Sequence, residues 1–182
     1  MDAELDSRGR RTYRGLPGAF PYAFRASESR LFRSYAVVSG LLGVGIAVVF
    51  TLALVVWIAG TIDESALVTL VRSFLVLIGA LVLIPLFAPV LFVARRHRRG
   101  TSVDERYDTA LASAGYLFVL SLYVGVVISM PPEEQQSVSG SLAPFVDALY
   151  ALPQFFGLLP PIVATALIFW LHRRLSDPSG NE

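Results

Sequence analysis

Cysteine is absent from the 182 residues, and so is lysine. The first absence excludes disulfides, thiolate zinc sites, Cys-ligated iron–sulfur clusters and thiol redox chemistry together. Charge is also scarce: charged side chains make up 16%, fourteen are acidic, and all fifteen basic ones are Arg, for a net charge of +1. With only two His, little is left from which to build a metal site. Hydrophobic residues fill the gap at 54%, and the mean hydropathy is +0.61. They come in blocks too long for the interior of a 19.8 kDa globule, which excludes a soluble enzyme.

Four stretches carry no charge: 36–60, 73–94, 109–130 and 148–171. At 1.5 Å per helical residue each is long enough to cross about 30 Å of hydrocarbon. Their apolar runs lack the period-two alternation of a barrel strand, and a lipid-buried backbone must satisfy its own hydrogen bonds. The expected fold is all-α, a polytopic membrane protein with four transmembrane helices in a domain spanning 36–171. The first stretch follows a 35-residue segment and lacks a small-residue cleavage site, so it is expected to remain in the mature chain.

Arginine placement predicts orientation. Fourteen of the fifteen Arg fall before the first stretch, between the second and third, or after the fourth; the other two connections, Thr61 to Ser65 and Pro131 to Pro144, hold Asp63, Glu64, Glu133 and Glu134 and no base. By the positive-inside rule both termini are cytoplasmic and the protein lies in the cell membrane as a multi-pass chain. Tyr35, Phe92, Tyr107 and Trp170 fall at the inner interface, and Trp57, Phe145 and Tyr150 at the outer one.

Residues 1–15 are charged and without apolar period, and read as a flexible cytoplasmic tail, as do 172–182. Over 16–35, Phe20, Phe24, Leu31, Phe32 and Tyr35 recur on one face with Arg25, Glu28, Arg30 and Arg33 between them, which predicts an N-terminal interfacial amphipathic helix running into the first span. Its arginines suit anionic membrane lipids or a cytoplasmic partner. The plainer reading is a lead-in whose arginines snorkel. The cluster Arg95 to Arg99 has the same two readings, and no nucleic-acid role is expected.

Within the spans, Ser39, Gly43, Ala47 and Thr51 recur every four residues, as do Ser121, Gly125 and Ser129. Small side chains in register let another helix approach closely, inside the bundle, in a homo-oligomer or against a partner membrane protein. Pro85 and Pro89 in the second span, and Pro153, Pro160 and Pro161 in the fourth, remove backbone donors and predict helix kinks, with a break near Leu159. Two ionisable groups lie at membrane depth, Arg72 and Asp147, each 13 residues before a proline. They form a candidate intramembrane ion pair. The alternative is that Arg72 snorkels to the outer headgroups while Asp147 flanks a short helix begun near Ser141.

Catalytic chemistry has few carriers. His97 and His172 both sit within Arg clusters at helix ends, where cationic neighbours disfavour a divalent metal, and they are assigned to the interface. Ser139-Gly140-Ser141 falls in the outer loop with no His on that side. Phosphate-loop and dinucleotide motifs are absent. No catalytic residue, cofactor or metal is therefore expected.

The segment Ala19-Phe20-Pro21-Tyr22-Ala23-Phe24-Arg25-Ala26-Ser27, followed by Ser29-Arg30-Leu31-Phe32-Arg33-Ser34-Tyr35, together with Lys-free, Cys-free, Arg-flanked spans, resembles the small four-span membrane proteins of unknown function found in haloarchaea. The resemblance covers most of the chain and implies no activity. One departure is that the expected cytoplasmic parts hold fourteen Arg against nine acids, whereas halophile surfaces are strongly acidic. The expected function is a non-enzymatic accessory or scaffold subunit with a basic cytoplasmic face. The alternative is a small oligomeric transporter or channel using Arg72, Asp147 and the proline-broken fourth helix.

Overall fold

The computed structural model describes residues 15–59, 66–99 and 105–176. Six α-helices follow in order: α1 (Gly15–Ala26), α2 (Arg30–Ala59), α3 (Ala66–Arg98), α4 (Glu105–Ile128), α5 (Ala143–Tyr150) and α6 (Leu159–Ser176). Two 3-10 turns, Pro132–Glu134 and Gln154–Leu158, flank α5, and no strand occurs among the described residues. Four helical runs are long and apolar enough to span a membrane: Arg30–Trp57, Val68–Arg98, Glu105–Ile128 and Gln154–Ser176. Of the expected tails at 1–15 and 172–182, residues 1–14 and 177–182 lie outside the described residues, whereas Gly15 begins α1 and 172–176 continue α6.

The segment expected to be one amphipathic helix is two pieces. α1 ends at Ala26, and Ser27, Glu28 and Ser29 are not helical. Ser29 then caps α2, its Oγ accepting from the Phe32 amide at 3.4 Å, while Ser27 Oγ accepts from the Ser29 amide at 3.3 Å. Hydroxyls at these positions satisfy backbone donors that a new helix leaves open. The Arg33 guanidinium folds back and donates to the carbonyls of Phe24 and Ser27, both at 3.1 Å. α1 also does more than rest on a lipid surface: Ala19 and Ala23, one turn apart, are fully buried, and Phe20 meets Phe87 of α3 edge-on at 5.2 Å.

The fourth span begins later than the charge-free stretch suggests. Residues 148–150 finish α5, a turn follows, and the chain re-enters helix through the 3-10 turn at Gln154. The break therefore falls at Ala151–Pro153. Pro160 and Pro161 occupy the first turn of α6, where an amide has no helical partner to lose, so they start that helix. α3 continues through Pro85 and Pro89, both buried. Between them the Leu86 carbonyl accepts the Tyr35 hydroxyl at 2.6 Å, tying α2 to α3.

Glycines set how closely the helices approach. A Cβ on Gly115 of α4 would stand 2.6 Å from the Tyr35 hydroxyl oxygen, and one on Gly125 would stand 2.5 Å from the carbonyl oxygen of Gly157. Ser129 adds a hydrogen bond to the Gln154 carbonyl at 3.2 Å, so α4 lies directly on the 3-10 turn that opens the fourth span. Of the small-residue stripe on α2, Ser39 and Gly43 are buried, with the Phe87 ring over Gly43, whereas Ala47 and Thr51 are exposed. Ser121 and Gly125 of α4 are buried, and Ser129, just past its end, is exposed.

Burial concentrates where α1, the start of α2, the end of α3, the start of α4 and the end of α6 converge; Phe32, Tyr35, Val90, Val93, Leu111, Phe118 and Ile168 pack there. Toward the other end of the α2–α3 hairpin the apolar surface is open, with Val56 68% and Leu70 67% exposed. Hydrocarbon around the protein removes the penalty that water would impose on such a surface.

Candidate functional site

The convergence of helix ends is held by a buried carboxylate. Asp108 lies in the first turn of α4 and His97 in the last turn of α3. The Asp108 Oδ2 receives the Ser27 hydroxyl at 2.5 Å and lies 3.0 Å from His97 Nε2. Because a carboxylate only accepts, His97 carries a hydrogen on Nε2. Asp108 is 2% exposed and the His97 side chain 6%, so this contact is shielded from solvent. One residue on, Thr109 Oγ1 meets Ser29 Oγ at 2.9 Å. The α1–α2 joint, the end of α3 and the start of α4 are thus locked through two adjacent side chains. Ser27 and His97 both address the same oxygen, an order in which the imidazole is not placed to take the hydroxyl proton.

Beside this tie, α3, α4 and α6 border a half-open cavity of about 350 Å³. His172 of α6 is sandwiched there. Phe92 stacks on it at 3.8 Å between centroids with planes 3° apart, and the Tyr107 hydroxyl lies 2.7 Å from its Nδ1. Arg96 lies over the Tyr107 ring at 4.2 Å and donates from Nη1 to the Leu175 carbonyl at 2.9 Å, closing α3 onto the end of α6. Arg95, Arg99 and Ser176 complete the wall. Among the described residues, three guanidinium groups and no acidic side chain border this cavity.

The two His expected at the interface are therefore embedded in packing contacts, one against a carboxylate and the other between aromatic rings. The candidate pair Arg72 and Asp147 is not among the ion pairs of the described residues. Arg72 is half-buried with its guanidinium 5.8 Å from the Trp57 ring centroid on the neighbouring α2, and Asp147 is exposed on α5. Among the described residues no group of three or more His, Cys, Asp or Glu converges as a metal site would require.

The family described as a domain of unknown function (DUF8056) matches residues 1–176. The chain belongs to this family. No curated protein and no solved structure matches it. The stretch matched to DUF8056 takes in all six helices, the Asp108 tie and the arginine-lined cavity.

Reading the chain by its charge-free boundaries passes over Asp108 and His97, because each lies just outside such a stretch. The signal is nevertheless present. A carboxylate at the start of one span and an imidazole at the end of the preceding one reach equal depth when the two helices run antiparallel.

Proposed function

We propose that this DUF8056 protein is a non-enzymatic accessory or scaffold subunit of the cell membrane, with both termini and its arginine-rich helix ends on the cytoplasmic side, offered to lipid or to a partner membrane protein. The observation that carries this reading is the Asp108 tie. It uses the buried ionisable groups to hold three helix ends in fixed register, which gives the surrounding arginines a rigid mount. Rigid display of charge suits recognition, whereas catalysis needs a nucleophile next to its base. The open apolar flank of α2 and α3 offers area for a transmembrane partner.

Purification of the tagged full chain from native membranes in mild detergent, with quantitative mass spectrometry and particle mass, tests the reading. A stoichiometric partner is expected. Particles made only of this chain would overturn the subunit role. The second reading, a small oligomeric transporter or channel, draws on the interrupted helix at Ala151–Pro153 beside Asp147. It requires solute or ion flux in reconstituted liposomes that an Arg72→Leu variant loses.

A further inference from the structure

We propose that the cavity between the ends of α3, α4 and α6 is a binding site for a phosphate group, held by Arg95, Arg96 and Arg99 with His172. The inference goes beyond the subunit reading and does not depend on it.

Three observations point the same way. The first is charge: among the described residues, three guanidinium groups and no acidic side chain line one half-open cavity. Asp108, the carboxylate next in sequence to Tyr107, is already engaged by Ser27 and His97. Like charges held together raise the local potential and favour an anion that carries more than one negative charge. The second is an unfilled donor. Arg96 Nε is buried with no hydrogen-bond partner among the described residues, although Nη1 of the same guanidinium is bonded to the Leu175 carbonyl and its carbon lies over Tyr107. A buried donor left open is costly, and an acceptor brought into the cavity removes that cost. The third is preorganisation: stacked on Phe92 and hydrogen-bonded through Nδ1 to the Tyr107 hydroxyl, the His172 ring is held in a fixed orientation at the cavity wall.

The ligand class follows from the donors. Guanidinium forks match the paired oxygens of carboxylate and phosphate, and three of them exceed what one carboxylate can accept. A phosphate monoester presents three terminal oxygens and up to two charges. The volume equals roughly a dozen waters, enough for a phosphate together with the group that bears it. Because the cavity opens at the end of a membrane-length helix, the phosphate can come from a lipid headgroup or from a soluble phosphorylated compound.

The test is isothermal titration calorimetry of the full chain in maltoside micelles, which contain no phosphate, with inorganic phosphate in one arm and a short-chain phosphatidic acid in the other. Saturable binding is expected in at least one arm. Arg95→Ala with Arg99→Ala should weaken it about tenfold for each charged donor lost. Both side chains are exposed at the cavity rim, and matched thermal unfolding of the double variant verifies its fold. The charge-matched control Arg25→Ala with Arg30→Ala, exposed residues outside the cavity, should bind as wild type. Comparable affinities in the two arms identify a soluble phosphate ligand, and at least tenfold tighter phosphatidic acid identifies a lipid headgroup. Absence of binding in both arms overturns the site. So does equal weakening by the control pair, which would mean diffuse attraction to a basic surface.

Discussion

His97 and Asp108 face each other at 3.0 Å across the connection between α3 and α4, and the Ser27 hydroxyl meets the same Asp108 oxygen at 2.5 Å. One carboxylate therefore ties the α1–α2 joint and the end of α3 to the start of α4. Replacing it leaves two buried donors without an acceptor, a loss on the order of 3 kcal/mol for a broken buried pair. Asp108→Ala is expected to lower the unfolding temperature in detergent sharply, with Asp108→Asn, which retains a carbonyl acceptor, falling between it and wild type. Asp108→Ala with an unchanged transition would remove the tie from the account of the fold.

A second prediction concerns the non-helical joint. Ser29 Oγ accepts from the Phe32 amide at the start of α2 and meets Thr109 Oγ1 at 2.9 Å. Ser29→Ala removes a helix cap and a tertiary hydrogen bond, a combined effect of about 2 kcal/mol. Hydrogen exchange should report it locally, as faster exchange at the first amides of α2 while the middle of α4 is unaffected. A uniform increase over the whole chain would contradict a local role.

The helical class and the rough positions of four spans are legible in the sequence because hydrocarbon imposes a length and a composition that one chain displays openly. What blurs is each span's end. α2 begins six residues before its charge-free stretch, since Arg30 and Arg33 enter the helix, Arg33 bonding back to α1. The fourth span starts later than its charge-free stretch because Leu149, Tyr150 and Leu152 are as apolar as the helix that follows, so hydropathy does not mark the turn before Pro153. The polar tie is harder still. His97 and Asp108 flank one connection, but Ser27 is 81 residues from Asp108 and joins them only once the helix ends are brought together, so periodicity and composition do not announce the three-way tie.

The contact between Gly125 and Gly157 yields a paired prediction. A Cβ on Gly125 would lie 2.5 Å from the Gly157 carbonyl oxygen, too close to be accommodated without moving backbone, whereas one on Gly45 of α2 meets nothing within 4 Å. Gly125→Ala should therefore destabilise by about 1–3 kcal/mol through overpacking. Gly45→Ala should be neutral or stabilising by up to about 1 kcal/mol, since alanine is the better helix former. Thermal unfolding of the two variants side by side separates helix contact from propensity. Equal effects would show that α4 and the fourth span are not closely apposed.

Charge at the far end of the bundle provides the last test. Arg72 lies 5.8 Å from the Trp57 ring centroid on the neighbouring helix, and Asp147 is exposed on α5, so the two are not joined within one chain. Asp147→Asn should then change stability by no more than about 0.5 kcal/mol, as for most exposed substitutions. Trp57→Leu should cost about 1 kcal/mol if the guanidinium is held over the indole. A large loss in Asp147→Asn would instead require a partner for this carboxylate in the assembled protein. Recovery of stability in the exchange Arg72→Asp with Asp147→Arg would identify that partner as the Arg72 of a second copy, because the single chain does not bring these residues together.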